Sequence, residues 1–121
     1  MAIIFKNKKK QIESLGYPIN IKSKYELESV LKTHNFALLD FWTRWCGSCL
    51  LMNDALNKIS KEYSENLTVV KIDASFDSEI MNQYNIKGLP TIMLIKNNEI
   101  CVQKYAALTL KELRDLVKIN I

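Results

Sequence analysis

Two cysteines stand three positions apart in Trp45-Cys46-Gly47-Ser48-Cys49, in a chain that has three cysteines in all. That spacing suits a reversible disulfide, half of a metal site, or two thiols incidental to a buried helix. Cys46 falls where a strand and loop give way to a helix. The first turn of a helix carries unpaired amide N–H groups and a positive dipole end, and both stabilise an anion. A thiol there ionises more readily than a free cysteine, and the thiolate is the nucleophile. Side chains three apart on a helix lie about 5–6 Å from each other, within reach of a disulfide after a small adjustment. The two thiols are not equivalent. Cys49, Met52, Leu56, Ile59 and Tyr63 step by three and four, so Cys49 belongs to a buried stripe and Cys46 precedes it as the exposed attacker. Attack by Cys46 on a disulfide would give a mixed disulfide for Cys49 to resolve. A metal site would need Cys101 or His34 as further ligands and would bind stoichiometric zinc; their separation in the expected fold opposes it.

The elements that must position this pair follow from periodicity. Ile19 and Ile21 alternate with polar neighbours as a short strand. Ser23 and Glu26 form a capping-box signature before Tyr25, Leu27, Val30 and Leu31, an amphipathic helix ending near Thr33. Phe36 to Trp42 is apolar almost throughout, as in a strand covered on both faces. After the cysteines comes a helix with Met52, Ala55, Leu56, Ile59 and Tyr63 inward and Asp54, Asn57 and Lys61 outward. Leu67 to Ile72 is the next central strand, so strand, helix and strand make a right-handed βαβ unit. A helix over Asp77 to Tyr84 and a buried strand over Thr91 to Ile95 come next. Lys96-Asn97-Asn98-Glu99 reverses the chain into the strand Ile100 to Tyr105, because Asn tolerates positive φ. Thr109 and Glu112 repeat the capping box and open a last helix through Leu110, Leu113, Leu116 and Val117. The order βαβαββα describes an α/β fold, a mixed sheet with helices on both faces.

At 121 residues the chain is long enough to bury a core as one domain. Residues 1 to 16 read as an N-terminal extension with a short helix through Gln11 to Leu15, closed by Gly16; residues 17 to 121 form the domain. The net charge of +4 draws on Lys6 and Lys8-Lys9-Lys10 near one end, a mobile basic tail rather than a nucleic-acid or membrane surface. Two arginines among 17 Lys and Arg leave fifteen lysines, which argues against forked recognition of phosphate. Ala2-Ile3-Ile4-Phe5 is shorter than a signal core and is followed, not preceded, by lysines. Without a disulfide framework or an apolar run of about 18 residues, a monomer of the reducing cytoplasm is expected.

Asp40 interrupts the apolar strand, and burial without a partner should raise its pKa. Pro90 opens a strand at a position where proline is tolerated, and the X–Pro bond accepts the cis form. The run DFWTRWCGSC, with KGLPT at residues 87 to 91 and the element order, resembles thioredoxin over roughly residues 17 to 121. The resemblance implies the thioredoxin fold, a central mixed sheet of about five strands flanked by about four helices. It implies a dithiol–disulfide oxidoreductase acting on protein disulfides, with no cofactor or metal, recharged by a thioredoxin reductase or an equivalent electron donor. Cys46 is then the nucleophile, Cys49 the resolving thiol, and Cys46–Cys49 the redox disulfide. Asp40 is the acid/base group that takes the proton of Cys49 through water, and Lys71 lies near that carboxylate. Leu89–Pro90 is cis, the backbone of Leu89 pairs with an extended substrate strand, and Trp45, Gly47, Ser48, Pro90 and Ala106 line the substrate surface. Trp42 packs beneath the cysteine-bearing helix.

Four positions depart from the family pattern. Ser48 stands where proline is usual and places a hydroxyl near the thiolate. Leu50 replaces a lysine and falls on the solvent side of the helix. Asp54 takes the place of a helix-kinking proline, which implies a straighter helix. Ala106 replaces a glycine and narrows the groove. Cys101 reads as a small hydrophobe in a buried or edge strand, and His34 as a solvated turn residue. Two other readings compete with the reductase: a thioredoxin-like oxidase or isomerase, and a non-catalytic module that docks a partner around Trp45 and Leu89.

Overall fold

The computed structural model describes residues 15–121. The expected short helix through Gln11 to Leu15 and the basic run Lys8–Lys10 lie outside the described residues, Leu15 excepted. Strand β2 (Phe36–Trp42) is the centre of the fold, and every residue from Phe36 to Phe41 is buried. Its unbroken apolar run needs cover on both faces. It pairs in parallel with β3 (Thr68–Asp73) and antiparallel with β4 (Thr91–Lys96). Short β1 (Ile19–Ile21) adds in parallel to β3, and β5 (Glu99–Tyr105) adds antiparallel to β4. The sheet order is β1-β3-β2-β4-β5. Asn97 and Asn98, both at positive φ (53° and 68°), make the β4–β5 turn as their side-chain type allows.

Side chains alternate across β2 and so define two cores. Phe36 and Leu38 pack with Met52, with Leu56 and Ile59 of α3 (Asn53–Glu62), and with Leu113 and Val117 of α5 (Leu110–Asn120). Ala37, Leu39 and Phe41 pack with Leu27 and Leu31 of α1 (Lys24–Thr33) and Ile80 of α4 (Ser78–Gln83). By the same alternation Asp40 falls on the α3 face. Strand β1 and helix α1, both expected from the sequence, precede a βαβαββα run, and the helix after β2 is in two pieces, α2 (Gly47–Leu51) and α3.

That division overturns the expected straighter helix. The Met52 N–H bonds to the Cys49 carbonyl three residues back (3.2 Å), while the Met52 carbonyl receives the Leu56 N–H (2.9 Å) and starts α3. A tightened turn therefore breaks the helix two residues before Asp54, which is exposed and pairs with Lys58 at 3.1 Å. No proline is needed, because the i−3 bond itself ends the α-helical ladder. Cys49, Met52 and Leu56 stay buried across the break.

Other expectations are refined by packing. Thr109 and Glu112 form a complete capping box. At Ser23 the hydroxyl caps the Glu26 N–H (3.2 Å), but the Glu26 carboxylate meets that hydroxyl instead of the backbone. Tyr25 is 79% exposed and does not join the buried side of α1. His34 is not a solvated turn residue. It caps α1, its Nδ1 lying 3.0 Å from both the Val30 carbonyl and the Thr33 hydroxyl. Cys101 lies on the edge strand and is exposed rather than buried.

Leu56 anchors α3, which follows the cysteine-bearing α2, to the sheet with no exposed surface. Leu56→Ala should destabilise the fold by about 2–5 kcal/mol, read from urea unfolding of the oxidised protein.

Candidate functional site

Topology gathers the site at the end of the sheet where β2 stops and β4 begins. Beyond Trp42 the chain turns on Thr43, whose carbonyl accepts the Cys46 N–H (3.3 Å) and whose hydroxyl accepts the Trp45 N–H (3.0 Å). Thr91 pairs with Phe41 on one side and Tyr105 on the other. Pro90 therefore sits beside the end of β2, and Ala106 just past the end of β5. The Leu89–Pro90 bond is cis. The Thr91 hydroxyl donates to the Gly88 carbonyl at 2.7 Å and pins this loop. Tyr105 lies across the Gly88 backbone; a Cβ at residue 88 would come within 2.4 Å of its ring. Only glycine permits that approach.

Cys46 and Cys49 are joined in a disulfide, with their Cα atoms 5.3 Å apart. Their surroundings differ as the periodicity implies. Cys49 has no exposed surface, whereas Cys46 is half-buried and faces outward. Cys46 is also the N-cap of α2. Its Sγ accepts the Cys49 N–H at 3.2 Å, and the Ser48 hydroxyl lies 3.5 Å away. Helix α2 has only five residues, so local donors rather than a long macrodipole supply the stabilisation. Hydrogen bonds to the charged form favour it, and a sulfur so placed can leave or attack as a thiolate.

The rim is apolar. Trp45 is 72% exposed, with the Arg44 guanidinium 4.6 Å from its ring centre. Leu50 is exposed, as its helical position implies, and Leu51 more so. Gly47 and Ser48 are exposed, and the space over Gly47 is open. Leu89 is half-buried against the α1–α4 core, Pro90 is buried and Ala106 is exposed.

Beneath the cysteine-bearing helix lies a carboxylate–ammonium pair. Asp40 is fully buried, and neither of its oxygens has a hydrogen bond among the described residues. Lys71 is its register partner on β3, with Nζ 3.9 Å from Asp40 Oδ2. The same ammonium donates to Asn53 Oδ1 at the start of α3 and lies 4.5 Å from the centre of the Trp42 ring. Burial pushes the Asp40 carboxyl up from 3.8 to about 7, and the Lys71 charge offsets part of that rise. Burial likewise lowers the Lys71 ammonium from its ordinary value, with Asp40 pulling it back. The buried carboxyl can thus hold or release a proton near neutrality, which is what general acid–base work requires.

The structure brings Cys46, Cys49, Trp45, Gly47 and Ser48 together on one loop and helix start. Pro90 and Ala106 are placed at the same pole, and Asp40 and Lys71 side by side on the sheet face below. Trp42 stacks on Lys71, with its indole N–H lacking a partner among the described residues. Cys101 and His34 sit on β5 and at the end of α1, and the described residues hold no cluster of His, Cys, Asp and Glu suited to a metal. Sequence reasoning overlooked Asn53, Tyr105, Arg44 and Leu51. Asn53 was within reach of a spacing argument, being four residues past Cys49 in the sequence.

Comparison with known proteins agrees with this geometry. The family model described as Thioredoxin matches residues 19–119. A thioredoxin of Buchnera aphidicola subsp. Acyrthosiphon pisum (strain APS) is 35% identical over 94 residues, 78% of this chain and 87% of that protein. A Pseudomonas aeruginosa thioredoxin is 28% identical over 103 residues, 85% of this chain and 95% of that protein. Among solved structures, Schistosoma mansoni thioredoxin superposes with a TM-score of 0.79 at 30% identity, covering 89% of this chain and 99% of that one. A mutant thioredoxin from Halobacterium salinarum NRC-1 gives 0.82 at 23% identity, covering 89% and 94%, a likeness of fold.

Two expectations follow from the electrostatics. The folded Asp40 binds its proton more tightly than the unfolded one, so its contribution to stability is favourable at low pH. That contribution is lost as pH rises from about 4 through about 7. At pH 8 Asp40→Asn should therefore be more stable than wild type, by up to about 4 kcal/mol, with the gap closing by about pH 4 in urea titrations. Ser48→Ala should raise the pKa of the reduced Cys46 thiol, read from the pH dependence of its alkylation by iodoacetamide.

Proposed function

We propose, on the premise that this chain belongs to the thioredoxin family and is a protein thiol–disulfide oxidoreductase, that Cys46 opens substrate disulfides and Cys49 closes the cycle. The observation that carries this assignment is the inequality of the two sulfurs. Cys46 is reachable and sits among hydrogen-bond donors, while Cys49 is shut beneath it. In the reduced protein the Cys46 thiolate attacks one sulfur of a substrate disulfide. A Cys46–substrate bond forms, the substrate S–S bond breaks, and the other substrate sulfur leaves as a thiolate that takes a proton from solvent. The Asp40 carboxylate then accepts the Cys49 proton, relayed through water. The Cys49 thiolate attacks the Cys46 sulfur, closes the Cys46–Cys49 bond and expels the second substrate thiolate. Two electrons have passed from protein to substrate. Lys71 keeps Asp40 from becoming too basic to release its proton again.

The substrate surface is built from the exposed Trp45, the open backbone of Gly47 and Ser48, and the Leu89–Pro90 and Ala106 edges. An extended strand from the partner pairs with the Leu89 backbone, as added strands do elsewhere. A thioredoxin reductase or an equivalent donor regenerates the dithiol. An exposed, unpaired Cys101 supports a reducing compartment, and the cytoplasm is the compartment proposed. No helix among the described residues is long and apolar enough to cross a membrane. The protein acts as a monomer in this reading, since one chain carries every residue the cycle uses.

Insulin reduction driven by dithiothreitol tests the assignment. Cys46→Ser should fall to the uncatalysed background. Cys49→Ser should accumulate a substrate adduct on Cys46, detected as a mass increase that dithiothreitol reverses. Equal rates in wild type and both variants would instead mark a docking module whose cysteines are incidental.

A further inference from the structure

The ammonium of Lys71 has three neighbours and gives only one of them a close bond. Its hydrogen bond goes to Asn53 Oδ1, its charge lies over the Trp42 ring, and Asp40 is left at 3.9 Å. An ammonium and a carboxylate in full contact approach to about 2.7–2.9 Å. The pair here is therefore held apart, and the Asp40 oxygens have no other hydrogen bond among the described residues. Asn53 is the first residue of α3, immediately after the break at Met52.

We propose that Asn53 is a positioning residue for the buried proton acceptor. By engaging the Lys71 ammonium from above, it keeps the cation from closing on Asp40 and thereby sets the pH at which that carboxylate can take the Cys49 proton. The inference rests on the reading of Asp40 as the acceptor only in its kinetic consequence. The other groups around Asp40 leave this role to Lys71. Ile92 on β4 and Asn20 beside Lys71 on β1 are uncharged. Asp73, two residues beyond Lys71 on β3, is engaged by the Ser75 amide and hydroxyl (3.0 and 2.6 Å). On α3, Asp54 and Lys58 pair with each other in solvent. From α2 the remaining titratable group is the Cys49 thiol, present only once the disulfide is open. Burial and Lys71 are the causes that govern the carboxyl.

The test is an NMR titration of the Asp40 side-chain carboxyl in carbon-13-labelled protein, oxidised and reduced. Asn53→Ala, which keeps a good helix former at this position, should lower the Asp40 midpoint by on the order of one pH unit as the freed ammonium closes on the carboxylate. Asn53→Asp retains an acceptor oxygen and should show no such fall. In a Lys71→Met background Asn53→Ala should leave the midpoint where it is. In stopped-flow measurements on the Asn53→Ala variant, the pH profile of mixed-disulfide resolution should move to lower pH with the titration. An unchanged or raised midpoint in Asn53→Ala, or a fall that persists without the Lys71 amine, overturns the proposal. The carboxyl titration needs no substrate. A chain inactive on insulin that still showed the lowered midpoint would count against the oxidoreductase cycle and uphold the hold of Asn53 on Lys71.

Discussion

A carboxylate in the central strand, deprived of hydrogen bonds and left with one cation 3.9 Å away, is the constraint around which the site is arranged. Its desolvation opposes ionisation, and any full ion pair would undo that opposition. The cost is carried by the two apolar cores on either side, whose side chains from β2, β3 and β4 are almost wholly excluded from water. Stability is given up at one position, whose carboxyl is pushed up to about 7 by burial. Moving Asp40 by one residue along β2 would turn it to the α1–α4 face, away from the cysteines, because strand side chains alternate.

The same pole of the sheet combines an exposed and a buried sulfur for a related reason. A disulfide between residues three apart closes within one loop and helix start, at the edge of the cores. What distinguishes the sulfurs is depth: one caps the short helix α2 at the surface, and the other lies under it against the sheet. The hydroxyl of Ser48 adds a donor beside the outer sulfur, where the family usually has a ring that cannot donate. Leu50, Leu51 and Trp45 are all exposed near the same end of the sheet.

The interruption at Met52 links these two levels. On its α2 side Cys46 is half-buried and Cys49 has no exposed surface, and on its α3 side the Asn53 amide oxygen accepts from Lys71. A continuous helix through this point would carry residue 53 around by its regular 100° step, with no separate control over where its side chain meets the sheet.

Much of this was legible in the linear order of residues. Apolar runs of β2, β3 and β4, the three-and-four stripe through Cys49, Leu56 and Ile59, the Asn97-Asn98 reversal and the Thr109 cap are local patterns, set by periodicity and by each residue's own conformational limits. The same patterns placed Asp40 in the interior and set Cys46 apart from Cys49. The break at Met52 was not legible, because it results from an i−3 bond with no proline to announce it. Nor was the exposure of Tyr25, which does not join the buried side of α1. The grouping of Lys71, Asn53 and Trp42 arises where β3, α3 and β2 meet. Sequence determines which residues avoid water and which can bend the chain. Only the assembled fold decides which distant polar groups share a dry space, since that depends on strand register and helix docking rather than on any local period.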